Sequence, residues 1–169
     1  MPAVTRKIRR RRAPGELVVE QTRDLELVAQ TLTAAGMLAD GVDAPGGCYL
    51  TAHVGDRLAG VIGIEARVDA ALIRSLMVVQ TDRRRGIGSA LVAAARTAAH
   101  TRGARTLYAL VHDSAEARYF ERFGFASATS ERLIAALAGA VDYLRQRPDE
   151  LARCQVLSLD IANDGVILR

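Results

Sequence analysis

The stretch from Leu76 to Leu91, LMVVQTDRRRGIGSAL, restricts the fold more than any other part of the chain. An apolar, strand-like run stops at Val79, a polar turn follows, and Gly86 and Gly88 open an amphipathic helix. Two glycines at a helix start let a ligand approach the backbone closely. The first N–H groups of a helix have no acceptor within it and point outward with the positive end of the dipole, so an anion is favoured there. Arg83, Arg84 and Arg85 add positive charge. The segment therefore reads as a diphosphate-binding turn. It is not a P-loop, because no lysine follows Gly88. It is not the dinucleotide fingerprint either, because Leu91 stands where the third glycine would be.

The rest of the chain supplies a sheet for this turn to hang from. Glu16 to Gln21 reads as a first strand, with Thr22 as the N-cap of a helix whose apolar face is Leu25, Val28, Leu32 and Ala35. Met37 to Gly47 is a loop. Cys48 to Val54, Arg57 to Arg67 and Ala71 to Val79 are three strands joined by short turns, an antiparallel meander. The helix Gly86 to Arg102 follows, stopped by Gly103. Next come a strand at Arg105 to Val111, a short helix at Ser114 to Phe123, and a strand beginning at Phe125. A helix from Ser130 to Arg147 is closed by Pro148, and a last strand spans Cys154 to Ile161. This order predicts an α+β chain with a mixed central sheet of about seven strands flanked by helices.

Residues 83–88, RRRGIG, resemble the [QR]-x-x-G-x-[GA] signature of the GNAT N-acetyltransferases. Leu76-Met77-Val78 is similar to that family's L-x-V run, and Ala117 to Phe125, ARYFERFGF, to its second landmark, a helix ending in G-F. The resemblance covers roughly Gly47 to Phe125. It implies the GNAT fold and acetyl-CoA as co-substrate, with no metal. The cofactor would lie between the fourth and fifth strands. Its pantetheine arm would pair with Leu76, Met77 and Val78 like an added strand. Its diphosphate would sit at Arg83, Arg84, Arg85, Gly86, Ile87, Gly88 and Ser89. Many family members place a tyrosine where this chain has Phe120, to protonate the departing thiolate. Tyr119, one residue earlier, is the candidate here, and Tyr108 is a second phenol nearby. A thiol pKa of about 8.5 makes the thiolate a tolerable leaving group even without an acid.

The acceptor amine must be neutral to attack, so a base or a water relay is needed. Glu65 interrupts an apolar run and is the candidate base. Arg74 and Ser75 interrupt the next strand and are candidate acceptor-binding residues. A charge inside an apolar strand is costly unless paired, so Arg74 either holds an acceptor carboxylate or forms an ion pair with Glu65. His53 and His112 fall at strand ends and read as ordinary histidines. The R-S-L segment and the aromatic pair before E-R-F-G-F are similar to a branch containing glutamate-acetylating amino-acid N-acetyltransferases and acetyltransferases found with arsenic-resistance genes. That points to a small, amino-acid-like amine as acceptor. The resemblance also suggests a homodimer. The alternative is a non-catalytic module of the same fold that binds coenzyme A, nucleic acid or a protein.

Charge and composition exclude other classes. The chain has 23 basic and 19 acidic residues. Six of the basic ones lie in residues 1–12, which leaves 17 basic against 19 acidic for the remainder, a net of −2. We read residues 1–14 as a basic, disordered leader and 15–169 as one acetyltransferase domain. The leader has no following apolar segment and so is not a secretion signal. The basic run could touch nucleic acid or an anionic surface, but the basicity belongs to the leader and not to the domain, so nucleic acid is not the expected partner. No run of about 18 apolar residues is present, so no membrane association is expected and the cytoplasm is the expected compartment. Cys48 and Cys154 lack metal-site spacing and read as free thiols, with a tertiary disulfide left open.

Overall fold

A computed structural model of the chain describes residues 12–137 and 148–163. The elements run β1 (Leu17–Thr22), α1 (Leu25–Ala34), β2 (Gly47–Val54), β3 (Arg57–Ala66), β4 (Ala70–Val78) and a 3₁₀ turn (Gln80–Asp82). Then follow α2 (Ile87–Thr101), β5 (Thr106–Val111), α3 (Ser114–Glu121), β6 (Ala126–Ala128), α4 (Ser130–Ala136), α5 (Pro148–Arg153) and β7 (Gln155–Asp160). The strands form one seven-stranded sheet in the order β1-β2-β3-β4-β5-β7-β6. All neighbours are antiparallel except β4 and β5. The mixed sheet flanked by helices is thus the architecture expected from the sequence.

Two layers of helix cover the sheet. On one face α2 buries Ile87, Leu91, Val92, Ala95 and Ala99 against Leu50, Ile62, Ile64 and Leu107, and α3 adds Ala117 and Phe120. On the other face α1 packs Val28 and Leu32 on Tyr49, Val61 and Met77. Beside it, α4 packs Leu133 on Leu72, Tyr108 and Val156. With both faces covered, β3 and β4 are buried over almost their whole length, which is why they read as continuous apolar runs rather than alternating ones.

The structure departs from the local reading at two helix starts. Asp24, not Thr22, caps α1: its carboxylate accepts from the Leu27 N–H at 3.0 Å, while the Thr22 hydroxyl accepts from the Asp24 N–H at 3.1 Å. Pro148, expected to close a helix, opens one, as a residue without an N–H can at a first helical position. The helix expected over Ser130–Arg147 is seen as α4 to Ala136, and residues 138–147 lie outside the described ones. The leader expected over residues 1–14 also lies largely outside them. Of it, Arg12 pairs with Glu20 and the Ala13 N–H donates to Glu16. Cys48 and Cys154 are not joined in a disulfide.

Candidate active site

The site begins where the sheet comes apart. β4 and β5 pair in parallel only from Ala70 with Thr106 to Ile73 with Ala109. Beyond that point β4 continues to Val78 against β3, and β5 continues to Val111 against β7. The strands part at Arg74 because β4 is bulged there. Gly63 faces Arg74 and Val61 faces Met77, so Ser75 and Leu76 together oppose the single residue Ile62. Ser75 takes the left-handed conformation, φ 54°, at the bulge. An extra residue of this kind bends its strand and takes backbone groups out of the ladder.

A cleft of about 430 Å³ occupies the gap. Leu72 and Arg74 line it from the α1 face of the sheet, together with Gly36, Met37 and Leu38 of the α1–β2 loop. Ile73, Leu76, Ala109, Tyr119 and Phe120 line it from the α2 face, with His112 and Glu116 at its rim. Residues of both parities on β4 reach the same space, so the cleft passes through the sheet rather than resting on one side of it.

The glycine turn adjoins this cleft. Gly86 has φ 78° and caps α2, and a Cβ added there would meet nothing within 4 Å. Arg83 to Gly86 and Ser89 are exposed, while Ile87 is buried as a core anchor. Arg84 is also left-handed, φ 63°, an uncommon conformation for a residue with a side chain. The Arg83 Nε donates to the Val78 carbonyl at 3.3 Å. Tyr119 ties the turn to the cleft. Its hydroxyl lies so close to Gly88 that a Cβ on Gly88 would stand 2.4 Å from it, and it shares a hydrogen bond with Ser89. Partial burial raises the Tyr119 pKa, and Ser89 and the Arg122 guanidinium pull it back less strongly. The phenol therefore keeps its proton at neutral pH.

A buried polar cluster supports the side of the cleft formed by the α1–β2 loop. Glu65 has no exposed surface and Arg74 is 8% exposed; their charged groups are 3.6 Å apart. Arg74 also donates from Nη2 to the Asp40 carbonyl at 2.7 Å and from Nη1 to the Gly41 carbonyl at 3.3 Å. It thus fastens the α1–β2 loop to β4. Gly63 makes room for this arrangement: a Cβ there would stand 2.7 Å from Tyr49 Cε1 and 2.9 Å from Arg74 Cγ. Burial raises the Tyr49 pKa, with Arg74 and Ser75 opposing the rise.

The GNAT acetyltransferase domain family matches residues 45–127, a span that holds the meander, the bulge, the turn and α3. Residues 45–127 are a GNAT acetyltransferase domain. Among solved structures, an acetyltransferase of the GNAT family from Desulfovibrio desulfuricans superposes with a TM-score of 0.64 at 18% identity, covering 87% of this chain and 100% of that one. N-acetylglutamate synthase from Neisseria gonorrhoeae, complexed with coenzyme A and N-acetyl-glutamate, gives 0.62 at 17% identity over 86% of this chain. This chain spans 35% of that enzyme's length. Rv2747 from Mycobacterium tuberculosis, solved in complex with CoA, gives 0.60 at 18% identity, covering 85% of this chain and 98% of that one. At these identities the likeness establishes the fold. No curated protein matches the sequence.

Within this acetyltransferase the expected site residues fall into three groups. Ser75, Leu76, Arg74 and Tyr119 line the cleft, and the 83–89 turn adjoins it through Tyr119. Met77 points into the α1 core and Val78 packs toward α2, so only their backbone faces the question of cofactor binding. Glu65 stands apart: it does not line the cleft, and Arg74 is its neighbour. Tyr108 is packed among Leu72, Leu133 and Val156 and does not line the cleft either. His53 is buried, with Nε2 3.2 Å from the Thr51 hydroxyl. His112 does reach the rim, its Nδ1 3.5 Å from a Glu116 carboxylate that also accepts the His112 N–H at 2.7 Å.

Sequence reasoning missed one pair. Asp82 is fully buried beneath the turn. Arg57 grips it with both terminal nitrogens, Nη2 to Oδ1 at 2.9 Å, and Arg85 Nη1 reaches the same Oδ1 at 2.8 Å. The Asp82 carboxyl is held below the usual carboxylate range, first by the Arg57 hydrogen bond and against the cost of burial. A lone acid in a run of basic residues was the available signal. Its partner, 25 residues away, gave none.

Proposed function

We propose that the chain transfers an acetyl group from acetyl-CoA to the amine of a small, amino-acid-like molecule. The observation that carries this reading is the continuity of the through-sheet cleft with an open, arginine-bearing helix start, joined by Tyr119. The helix start offers unbonded N–H groups and positive dipole to a diphosphate. The bulged Ser75–Leu76 backbone would take the pantetheine arm, leaving the thioester in the cleft with Arg74 and the Gly36–Leu38 loop on the acceptor side.

The neutral amine attacks the thioester carbon, and backbone donors of β4 hold the oxyanion. The C–S bond then breaks, the nitrogen loses a proton and the thiolate gains one. Tyr119, protonated at neutral pH and lining the cleft, is the donor we assign. Glu65 serves as the counter-charge of Arg74, and proton removal from the amine falls to water or to His112 at the rim. The amino-acid character of the acceptor is supported by Arg74 in the cleft wall and by the N-acetyl-glutamate complex of a protein with this fold.

The test is thiol release from acetyl-CoA over a panel of amines that includes glutamate, other amino acids and non-acidic amines. Turnover with an amino acid supports the assignment. Turnover confined to amines of another class would overturn the acceptor. Tight coenzyme A binding with no turnover on any amine would favour the binding-module reading instead.

A further inference from the structure

We propose that Arg57 is a positioning residue for the cofactor turn: by neutralising Asp82 it leaves the charge of Arg85 for the phosphates of a nucleotide cofactor. This inference rests on the acetyl-CoA reading above. Arg57 is the first residue of β3, fixed opposite Val54 across the β2–β3 hairpin. Asp82 is fixed in the 3₁₀ turn, its N–H bonded to the Val79 carbonyl at 2.8 Å. The Asp82 carboxylate has no exposed surface, so it needs a cation beside it.

Two cations are in place for one anion. Arg57 makes the bidentate contact, the stronger and more directional kind, while Arg85 makes a single one. Both guanidinium side chains remain about half exposed, at 53% and 54%. Arg85 immediately precedes Gly86, the residue that opens the anion-favouring end of α2. With Arg57 present the cluster keeps a net charge of +1 at the turn. Without it, Asp82 would capture Arg85 as its sole partner, cancel that charge and draw the guanidinium inward. Arg57 thus acts on cofactor affinity from outside the signature, through Asp82.

The experiment compares the full chain with Arg57→Gln, Arg57→Lys, Asp82→Asn and the double variant Arg57→Gln/Asp82→Asn. Two acetyl donors are used: acetyl-CoA, and S-acetyl-pantetheine, which lacks the nucleotide and its diphosphate. Arg57→Gln is expected to raise KM for acetyl-CoA about tenfold, the order of one charge-assisted hydrogen bond. The KM for the amine and kcat/KM for S-acetyl-pantetheine stay unchanged. Arg57→Lys, which keeps charge but not the fork, falls between. The double variant recovers most of the lost affinity, because Arg85 is released. Equal loss with both donors, or a double variant no better than Arg57→Gln, would overturn the proposal. If the unaltered protein itself shows no preference for acetyl-CoA over S-acetyl-pantetheine, the diphosphate reading of the turn fails, whatever the variants do.

Discussion

Replacing Arg74 with methionine tests the buried pair with Glu65. At 3.6 Å an effective dielectric constant of about 20 gives a Coulomb attraction of about 4.6 kcal/mol. Both partners lie almost wholly out of solvent, so screening by water is slight. Arg74→Met removes the cation and leaves the Glu65 carboxylate buried, and the Asp40 and Gly41 carbonyls lose their donors. Removing one partner of a buried pair costs about 3–5 kcal/mol. For a chain of this size that lowers Tm by roughly 6–20 °C, at about 2–4 °C per kcal/mol. Glu65→Leu should cost a similar amount by stranding the guanidinium. The double variant Glu65→Leu/Arg74→Met should cost less than either single, about 1–3 kcal/mol, from the two carbonyls alone. The chain has no tryptophan, so urea unfolding followed by far-UV circular dichroism is the suitable assay. A double variant as destabilised as the sum of the singles would show that the pair does not interact and would refute the reasoning. Arg74→Lys adds a functional readout: it keeps the charge but not the two-carbonyl grip on the loop, so KM for the amine should rise before KM for acetyl-CoA does.

Gly88→Ala should expel the Tyr119 hydroxyl, which would stand 2.4 Å from the new methyl; the cost in stability should shrink in a Tyr119→Phe background, read as a non-additive double-mutant cycle. Gly86→Ala meets no neighbour but places a side chain at φ 78°, so unfolding in urea should show a loss of about 1–2 kcal/mol with the circular dichroism spectrum unchanged. Asp82 has a pKa lowered from 3.8 in the fold, so its pairing contributes fully above that value and is lost as pH falls through the lower folded-state value. Asp82→Asn should therefore flatten the acid limb of a stability-against-pH profile below about pH 4; an unchanged slope would contradict the assignment.

What could be read from the sequence was local. The glycine turn, the meander and α2 follow from apolar periodicity and punctuation, and their bounds fall within a residue or two of those expected. The residues that line the cleft were legible where they sit in the signature or beside it, as with Leu76, Ser75 and Tyr119. Burial depth was not legible, because it depends on what packs across the sheet. Glu65 reads as a candidate base interrupting an apolar run and is fully buried beside Arg74. Tyr108 reads like a second phenol and is packed under α4. The Arg57–Asp82 contact spans 25 residues and leaves no local pattern.

The bulge explains why the cleft, the turn and the polar cluster occur together. An ordinary β4 would continue to pair with β5 past Ile73, and the sheet would close over the space now lined from both faces. Inserting Ser75 and Leu76 opposite Ile62 bends β4 away and shifts the parity of everything after it. Arg74 and Met77, three residues apart, then share the α1 face, where an unbulged strand would put them on opposite faces. Arg74, just before the bulge, keeps its grip on the α1–β2 loop, while Val78, after it, ends toward α2 and the glycine turn. Gly63 completes the arrangement by letting the Arg74 stem and the Tyr49 ring meet over the neighbouring strand. Deleting Ser75 should therefore do more than remove a hydroxyl. It should restore regular alternation from Leu76 onward, drive Met77 out of the α1 core and close the gap, with loss of coenzyme A binding measured by calorimetry. Ser75→Gly, which keeps the bulge and suits its positive φ, should leave binding intact. Equal binding by the deletion variant would show that the splay does not depend on the bulge.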